Sequence, residues 1–133
     1  MSSYLLDTHV VIWLLFDVDK IPNSTLHEIK NLDNEIYISA VSFWEISIKY
    51  SINKLDLNKL NVSELPQIFK EQGYRLLPLN TDDAASFWEL KSVFHKDPFD
   101  RILIWQAIKN NFTLISNDVN ISPYRTEGLQ LLW

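Results

Sequence analysis

Hydrophobic residues along this chain alternate between short runs that fit β-strands and longer stretches with helical spacing. The short runs predict four strands, at Tyr4–Asp7, Glu35–Ser39, Tyr74–Pro78 and Phe112–Ser116, and a short fifth at Leu129–Trp133. Strands separated by helical segments are typical of parallel sheets covered by helices on both faces. The pattern therefore predicts an α/β fold, a three-layer α/β/α sandwich with a mainly parallel sheet of four to five strands.

Polar residues mark the predicted beginnings and ends of the helices. The helices are expected at His9–Phe16, from Pro22-Asn23-Ser24 onward, at Val41–Ile52, at Glu64–Gln72, from Thr81 to Phe94, and from Asp97 to Lys109. Thr81 and Asp97 are expected N-caps, and Pro98 suits the first helical position. Asn53 is expected to end the third helix, because asparagine tolerates the left-handed conformation.

Length and composition predict one globular domain, residues 1–133, because domains commonly contain about 100–150 residues. The longest apolar run, Val10–Phe16, is far shorter than the roughly 20 residues of a membrane span. Asp7 lies inside the first apolar stretch and no basic residue precedes Lys20, which argues against a signal peptide. We expect a cytoplasmic protein without membrane contact.

The net charge of −5 and the pI near 5.1 argue against direct binding to nucleic acid, which normally rests on Lys and Arg. This objection weakens if several of the negative charges bind metal ions, since divalent cations reverse the local field. Charge alone therefore leaves both possibilities open.

Four acidic residues lie where apolar runs pass into helices or within the first turns of those helices: Asp7, Glu45, Asp100 and Asp118. The carboxyl ends of parallel strands open into one shared crevice, so these four side chains are expected to converge there. Carboxylates within about 4–6 Å of one another repel and raise each other's pKa. Such a cluster is tolerable when it is protonated or binds a cation, and four carboxylates favour the cation.

Each of these acids also has a simpler explanation, because acidic side chains cap helix N-termini. Asp7 and Asp118 could be caps, and Ser42 with Glu45 fits a capping box. Caps do not require an acid at every junction, so the capping explanation is weaker for the set than for each member. Of the neighbouring pair, Asp97 is interpreted as the cap and Asp100 as the ligand.

The donor types narrow the choice of metal. The chain has no cysteine, and its histidines, His9, His27 and His95, include no pair at metal-binding helical spacing. An all-oxygen carboxylate site suits Mg²⁺ or Mn²⁺ rather than zinc. Mg²⁺ held by carboxylates and water is the usual setting for chemistry on phosphate esters.

The motifs around the acids resemble the PIN-domain ribonucleases, and within them the VapC-type toxins of bacterial and archaeal toxin–antitoxin pairs. The matching segments are LLDTHVVIW (Leu5–Trp13), SFWEISIK (Ser42–Lys49), HKDPFDRILIWQA (His95–Ala107) and LISNDVNISPY (Leu114–Tyr124). Two departures are Asn53, where relatives often carry glycine, and Asn117, where a basic or small residue is frequent. All four acids are present.

The resemblance implies a metal-dependent endoribonuclease that cleaves RNA phosphodiesters, with Asp7, Glu45, Asp100 and Asp118 binding Mg²⁺ or Mn²⁺. Thr8 and Ser116 match small hydroxyl positions near the metal, with Asp97 as a further supporting residue. The implied partners are an RNA substrate, a cognate antitoxin and a second copy in a homodimer. DNA would be reached only indirectly, through the antitoxin.

Other conspicuous residues receive more modest interpretations. Arg101 and Lys49 could hold phosphates, although they could equally balance neighbouring acids, as in the i, i+4 pair of Glu45 and Lys49. His9 and His95 are interpreted as local hydrogen-bonding or packing residues. The tryptophans in apolar helical stretches are interpreted as core or interface residues: Trp13, Trp44, Trp88 and Trp105.

Rival classes fit less well. A haloacid dehalogenase-type phosphatase requires Asp-x-Asp, but His9 occupies the third position. A receiver-like domain needs an acid on a middle strand, which EIYIS does not supply, and no glycine-rich loop indicates nucleotide binding. The remaining alternative is a catalytically silent PIN-fold interaction module whose acids are caps and partner contacts.

Overall fold

The central strand of the protein is β1 (Ser3–Leu6), in a computed structural model that describes all 133 residues. The other strands are β2 (Glu35–Ser39), β3 (Arg75–Leu77), β4 (Thr113–Ile115) and β5 (Gln130–Leu132), in the order β3-β2-β1-β4-β5. All four neighbouring pairs are parallel. The predicted α/β class and five-stranded parallel sheet are therefore confirmed.

The pairing of β1 with β4 brings two chain segments together at the carboxyl edge of the sheet. Leu6 pairs with Ile115, and the next residues are Asp7 and Ser116. The Asp7 N–H donates to the Ile115 carbonyl at 3.0 Å, which extends the ladder by one bond. This register sets the position of the acidic residue that follows the central strand.

Six α-helices connect the strands: α1 (Thr8–Phe16), α2 (Asn23–Lys30), α3 (Ala40–Ser51), α4 (Leu65–Glu71), α5 (Thr81–Ser86) and α6 (Pro98–Asn110). Short 3₁₀ turns occupy Val18–Lys20, Val62–Glu64, Phe87–Glu89 and Ser122–Glu127. None of the helices combines the length and the apolar character needed to cross a membrane.

The core lies in two layers, one on each side of the sheet. Tyr4 and Leu6 belong to one cluster with residues of α1, α2, α3 and α4. Leu5, between them, belongs to the other, which includes Leu103 and Ile104 of α6. Because successive strand residues point to opposite faces, β1 contributes to both layers. The three-layer arrangement follows directly from this alternation.

The helix predicted from Thr81 to Phe94 is wrong at both ends. Its N-cap is Asn80, whose side chain accepts from the Asp83 N–H while the Asp83 carboxylate accepts from the Asn80 N–H. This reciprocal capping box satisfies two backbone donors, which a cap at Thr81 would leave free. The α-helix ends at Ser86 and continues only as the 3₁₀ turn.

Side chains from elsewhere satisfy the backbone after that turn. The Glu127 carboxylate accepts from the N–H groups of Lys91 (2.9 Å) and Ser92 (3.2 Å). The Arg101 guanidinium donates to the carbonyls of Leu90 (3.1 Å) and Ser92 (3.4 Å). These bonds replace the intrahelical ones, so tertiary contacts override the helical spacing of this segment.

Other predicted caps had mixed outcomes. Asp97 is the N-cap of α6, and Asn53 has φ 59° after α3, as predicted. The alternative explanation of Ser42 and Glu45 as a capping box does not hold, because Ser39 caps α3 and accepts from the Val41 N–H. Ser42 and Glu45 therefore lie within the helix, and neither is its N-cap.

A buried polar network joins α3, α5 and α6 beneath the edge of the sheet. The Ser39 hydroxyl donates to Gln106 Oε1 at 2.6 Å, and Gln106 Nε2 donates to Asp83 Oδ2 at 3.2 Å. Lys109 Nζ lies 2.8 Å from Asp83 Oδ1. Burial raises the pKa of Asp83, but the hydrogen bonds from Lys109, Gln106 and the Asn80 N–H outweigh it, and the net pKa is lowered.

We predict that Asp83→Asn lowers the free energy of unfolding at pH 7 by about 1–3 kcal/mol, because a buried acceptor of several donors is weakened. The lowered folded-state pKa means that this stabilisation is complete above the unfolded-state value of about 3.9 and is lost as pH falls through the folded-state pKa. Urea unfolding of both proteins should thus give a constant difference from neutral pH to about pH 5 that shrinks below about pH 4.

The matched control is Asp82→Asn, which removes a neighbouring acid that also pairs with Lys109 but is 79% exposed. Its effect at pH 7 should stay below about 1 kcal/mol, as expected for an exposed ion pair. Equal losses in the two variants would contradict the special role of the buried carboxylate.

Candidate metal centre

Asp7 follows the central strand and is nearly fully buried, with 1% of its surface exposed. Its Oδ1 accepts from the Thr8 N–H at 2.8 Å, so it is the N-cap of α1. Its Oδ2 accepts from the Ser116 hydroxyl at 2.7 Å and lies 3.3 Å from His9 Nδ1. Capping and site formation therefore coincide in one side chain.

The surroundings of Asp7 disfavour its negative charge. Burial raises its pKa, and the charge of Glu45 raises it further. His9, the Ser116 hydroxyl and the Thr8 N–H act in the opposite direction but do not compensate. A buried carboxylate in this state gains stability from any cation that reaches it.

Glu45 approaches the same crevice from α3. Its Oε2 lies 3.0 Å from Lys49 Nζ, one helical turn later, and the Lys49 side chain is 44% exposed. Its Oε1 is buried and has no hydrogen-bond partner. Since buried polar atoms are nearly always satisfied, an unpaired carboxylate oxygen beside other acids is what a cation site would contain.

Asp100 lies in the first turn of α6, where the helix dipole favours an acid. Its pKa is nevertheless raised to about 8, first by burial and then by the charges of Asp7, Asp97, Glu45 and Asp118. Asp100 therefore experiences the charges of the other three acids singled out in the sequence and of Asp97.

Asp118 lies in the turn after β4 and is more exposed than the other three acids. Its Oδ1 accepts from the Asn120 N–H at 2.9 Å, and its own N–H donates to the Ser116 hydroxyl at 3.1 Å. Burial raises its pKa, but the hydrogen bonds from the Asn120 N–H and His95 outweigh this, and the net pKa is lowered. Ser116 thus connects Asp118 to Asp7.

His95 is a member of the cluster, beyond the local role that the sequence indicated. Its Nε2 lies 2.9 Å from Asp118 Oδ2 and 3.1 Å from Asp100 Oδ2. One possible ligand atom from each of His95, Asp100 and Asp118 lies within 4.8 Å of the other two. The available signal was its position in HKDPFD, two residues before the Asp97 cap.

The predicted supporting residues have distinct contacts. Thr8 gives its N–H to Asp7, and its hydroxyl donates to the Ser42 hydroxyl at 3.0 Å, which ties α1 to α3. Asp97 accepts from the Phe99 N–H at 2.8 Å and donates its own N–H to His95 Nδ1 at 3.1 Å. Both residues hold the backbone around the acids.

Arg101 and two of the tryptophans singled out in the sequence lie in different environments. The Arg101 guanidinium is engaged inside the protein, on the Leu90 and Ser92 carbonyls and over the Phe87 ring. Trp44 and Trp88 are 57% and 68% exposed, so they are not core residues. Trp44 follows Phe43 on α3, directly before Glu45, and its ring packs edge-on against Phe99 of α6.

The donor set fits a hard divalent cation. Asp7, Glu45 and Asp118, from three separate elements, all act electrostatically on Asp100, and Glu45 offers a buried oxygen without a partner. Oxygen-rich sites of this kind suit Mg²⁺ or Mn²⁺. No thiolate is present to favour a softer metal.

Comparison with known proteins gives a consistent result. The family model described as PIN domain matches residues 4–126. Ribonuclease VapC22 of Mycobacterium tuberculosis is 25% identical over 133 residues, the full length of both chains.

Solved structures show the same fold at low identity. VapBC2 from Rickettsia felis, bound to a DNA fragment from their promoter, gives a TM-score of 0.70 at 21% identity and covers 98% of this chain and 97% of its own. VapBC-1 from nontypeable Haemophilus influenzae gives a TM-score of 0.70 at 18% identity, with 98% and 96% coverage. With a family model that matches most of its length, this chain belongs to the PIN domain family.

Proposed function

We propose that this protein is a metal-dependent endoribonuclease and the toxin of a toxin–antitoxin pair. The observation that carries the proposal is the position of Asp100, whose pKa is raised to about 8 first by burial and then by the charges of Asp7, Asp97, Glu45 and Asp118. Membership of the PIN domain family and the similarity to Ribonuclease VapC22 support the nuclease assignment.

Asp7, Glu45, Asp100 and Asp118 would hold Mg²⁺ or Mn²⁺ in this proposal. When bound, such a cation neutralises charge at the phosphate and makes a water easier to deprotonate. Thr8 and Ser116 fix the two oxygens of Asp7. Asp97 fixes the start of α6, and therefore the backbone that carries Asp100.

The reaction adds one water across a P–O bond of RNA and yields a phosphate monoester and a hydroxyl. No side chain of the chain is consumed, and the acids neither form nor break a covalent bond. Lys49 is the cation best placed to contact the substrate phosphate, because it is partly exposed and already paired with Glu45. Arg101 is committed to internal carbonyls and has no such role.

The proposed partners follow from the surface and the relatives. An antitoxin and a second copy of the chain would cover exposed apolar side chains such as Trp44, Ile48 and Phe94. VapBC structures share the fold of this chain, and one of them is bound to promoter DNA. With a net charge of −5, this chain would reach DNA only through the antitoxin, and it would act on RNA in the cytoplasm.

We predict that purified protein without antitoxin cleaves structured RNA in Mg²⁺ or Mn²⁺ and that a chelator stops the reaction. Asp7→Asn and Asp100→Asn should each lower the cleavage rate by roughly 100-fold or more, because each removes a charge from the proposed centre. The rates would be measured on tRNA, rRNA and mRNA by gel electrophoresis of the products.

Asp33→Asn is the matched control, since Asp33 is an exposed acid without an ion pair in the turn before β2. It should cleave at the wild-type rate. Cleavage that persists in chelator or in both site variants would rule out the metal mechanism. A lack of cleavage on every RNA would favour the silent interaction module.

We also predict a reversal of relative stability between wild type and Asp100→Asn. In chelator the variant should unfold at the same temperature or higher, because it relieves repulsion among buried carboxylates. With Mn²⁺ at about 100 times its Kd, the wild type should gain about 2.7 kcal/mol and become the more stable protein. Thermal unfolding followed by circular dichroism measures both.

The control for ionic strength is an equivalent concentration of NaCl, which should move neither protein by a comparable amount. An equal stabilisation of wild type and Asp100→Asn by Mn²⁺ would show that the ion binds elsewhere.

A further inference from the structure

The His95 ring has both of its nitrogens engaged. Nδ1 accepts from the Asp97 backbone N–H at 3.1 Å, and Nε2 lies close to Asp118 and Asp100. A backbone N–H can only donate, so Nδ1 must present a lone pair. The ring nitrogen that carries a proton is therefore Nε2, which donates to Asp118 Oδ2 and lies 3.1 Å from Asp100 Oδ2.

This arrangement makes His95 unsuitable as a metal ligand through Nε2. A ligating Nε2 must be unprotonated, and the ring proton would then move to Nδ1. There it would face the Asp97 N–H, donor against donor. Ligation would thus break the bond that orders the start of α6.

The backbone of His95 is also anchored by a hydrogen bond. The His95 side chain is 15% exposed, and its backbone N–H donates to the Tyr124 hydroxyl at 3.2 Å. Tyr124 is fully buried, and the Phe94 ring packs edge-on against it. The backbone that carries the imidazole is therefore anchored to the core.

We propose that His95 is a positioning residue of the metal centre whose Nε2–H donates to Asp118 and so holds that acid beside Asp100, and that His95 does not bind the cation itself. The cation part of this inference rests on the proposed function, whereas the donor part concerns the metal-free protein.

The two acids need such a donor because they come from different elements. Asp100 lies on α6 and Asp118 in the turn after β4. The His95 Nε2–H fixes Asp118 Oδ2, and the same nitrogen lies 3.1 Å from Asp100 Oδ2, so the ring sets how close the two acids lie. The donor occupies Asp118 Oδ2, and no hydrogen bond engages Asp100 Oδ1. That oxygen stays available, as does the unpaired Glu45 Oε1.

The ring tautomer gives a direct test on ¹⁵N-labelled protein, by two-bond ¹H–¹⁵N correlation spectra in EDTA and in saturating Mg²⁺. His95→Gln identifies the His95 signals by their disappearance. We expect the Nε2–H tautomer in both conditions. A change to the Nδ1–H tautomer on addition of Mg²⁺ would overturn the proposal, and so would an Nδ1–H ring in EDTA.

Two variants separate the contacts of the ring. Gln at position 95 places an amide near the position of Nε2 and can still donate to the acids. Asn reaches only as far as Nδ1, so it can accept from the Asp97 N–H but not donate to the acids. Calorimetric titration with Mn²⁺ should give a Kd within about threefold of wild type for His95→Gln and roughly 10–100-fold weaker for His95→Asn.

Thermal stability in EDTA provides the readout for folding alone. His95→Asn should lose little thermal stability in EDTA even though its Mn²⁺ affinity falls, because the Asn side chain preserves the contact with the Asp97 N–H. The control is His27→Gln, an exposed histidine on α2 without a side-chain hydrogen bond, which should match wild type in both measurements.

A Kd for His95→Gln as weak as that of His95→Asn would overturn the proposal, because the retained donor would then have no effect. Failure of the proposed function looks different, as wild type itself would bind no Mn²⁺. In that case the spectrum in EDTA still decides whether Nε2 is the donor.

Discussion

Electrostatic repulsion among buried carboxylates governs the arrangement of this protein's functional edge. Asp7 and Glu45 are almost completely buried, and Asp100 experiences the charges of all the other acids in the crevice. A fold driven by stability alone would not place four such groups together, because each costs free energy when desolvated. A cation bound at this edge would offset the free energy that desolvation of the carboxylates costs.

The parallel sheet makes the convergence possible. β1 and β4 end side by side, so Asp7 and Ser116 come into contact although they are distant in sequence. The N-caps of α1 and α6, Asp7 and Asp97, supply polar groups there. Asp7 is both a cap and a member of the acidic cluster. The capping explanation and the metal explanation of this residue are therefore compatible, because one oxygen serves each role.

The sequence was sufficient for the fold class, the strand positions and the acids that converge, because these depend on periodicity and on the geometry of parallel strands. It failed where distant side chains decide local structure. The helix expected to reach Phe94 stops early because Glu127 and Arg101 bind the backbone beyond it. The position of His95 near two acids is accompanied by a hydrogen bond from its backbone N–H to the distant Tyr124 hydroxyl, which no local pattern reveals. The exposure of Trp44 could not be predicted either, because an apolar helical sequence does not indicate which face of the helix is covered.

Two kinds of hydrogen-bond donor support the acids, backbone N–H groups and side chains. Backbone donors from Thr8 and Asn120 are fixed by the turns that carry them, so they persist whatever the charge of the crevice. The Ser116 hydroxyl and the His95 ring are side chains, and each joins groups from different elements. Backbone donors therefore orient individual acids, whereas these two side chains set the distance between acids. Because a divalent cation binds only when its ligands are close enough together, the side chains that set those distances would determine the affinity of the proposed centre, and the turns alone would not.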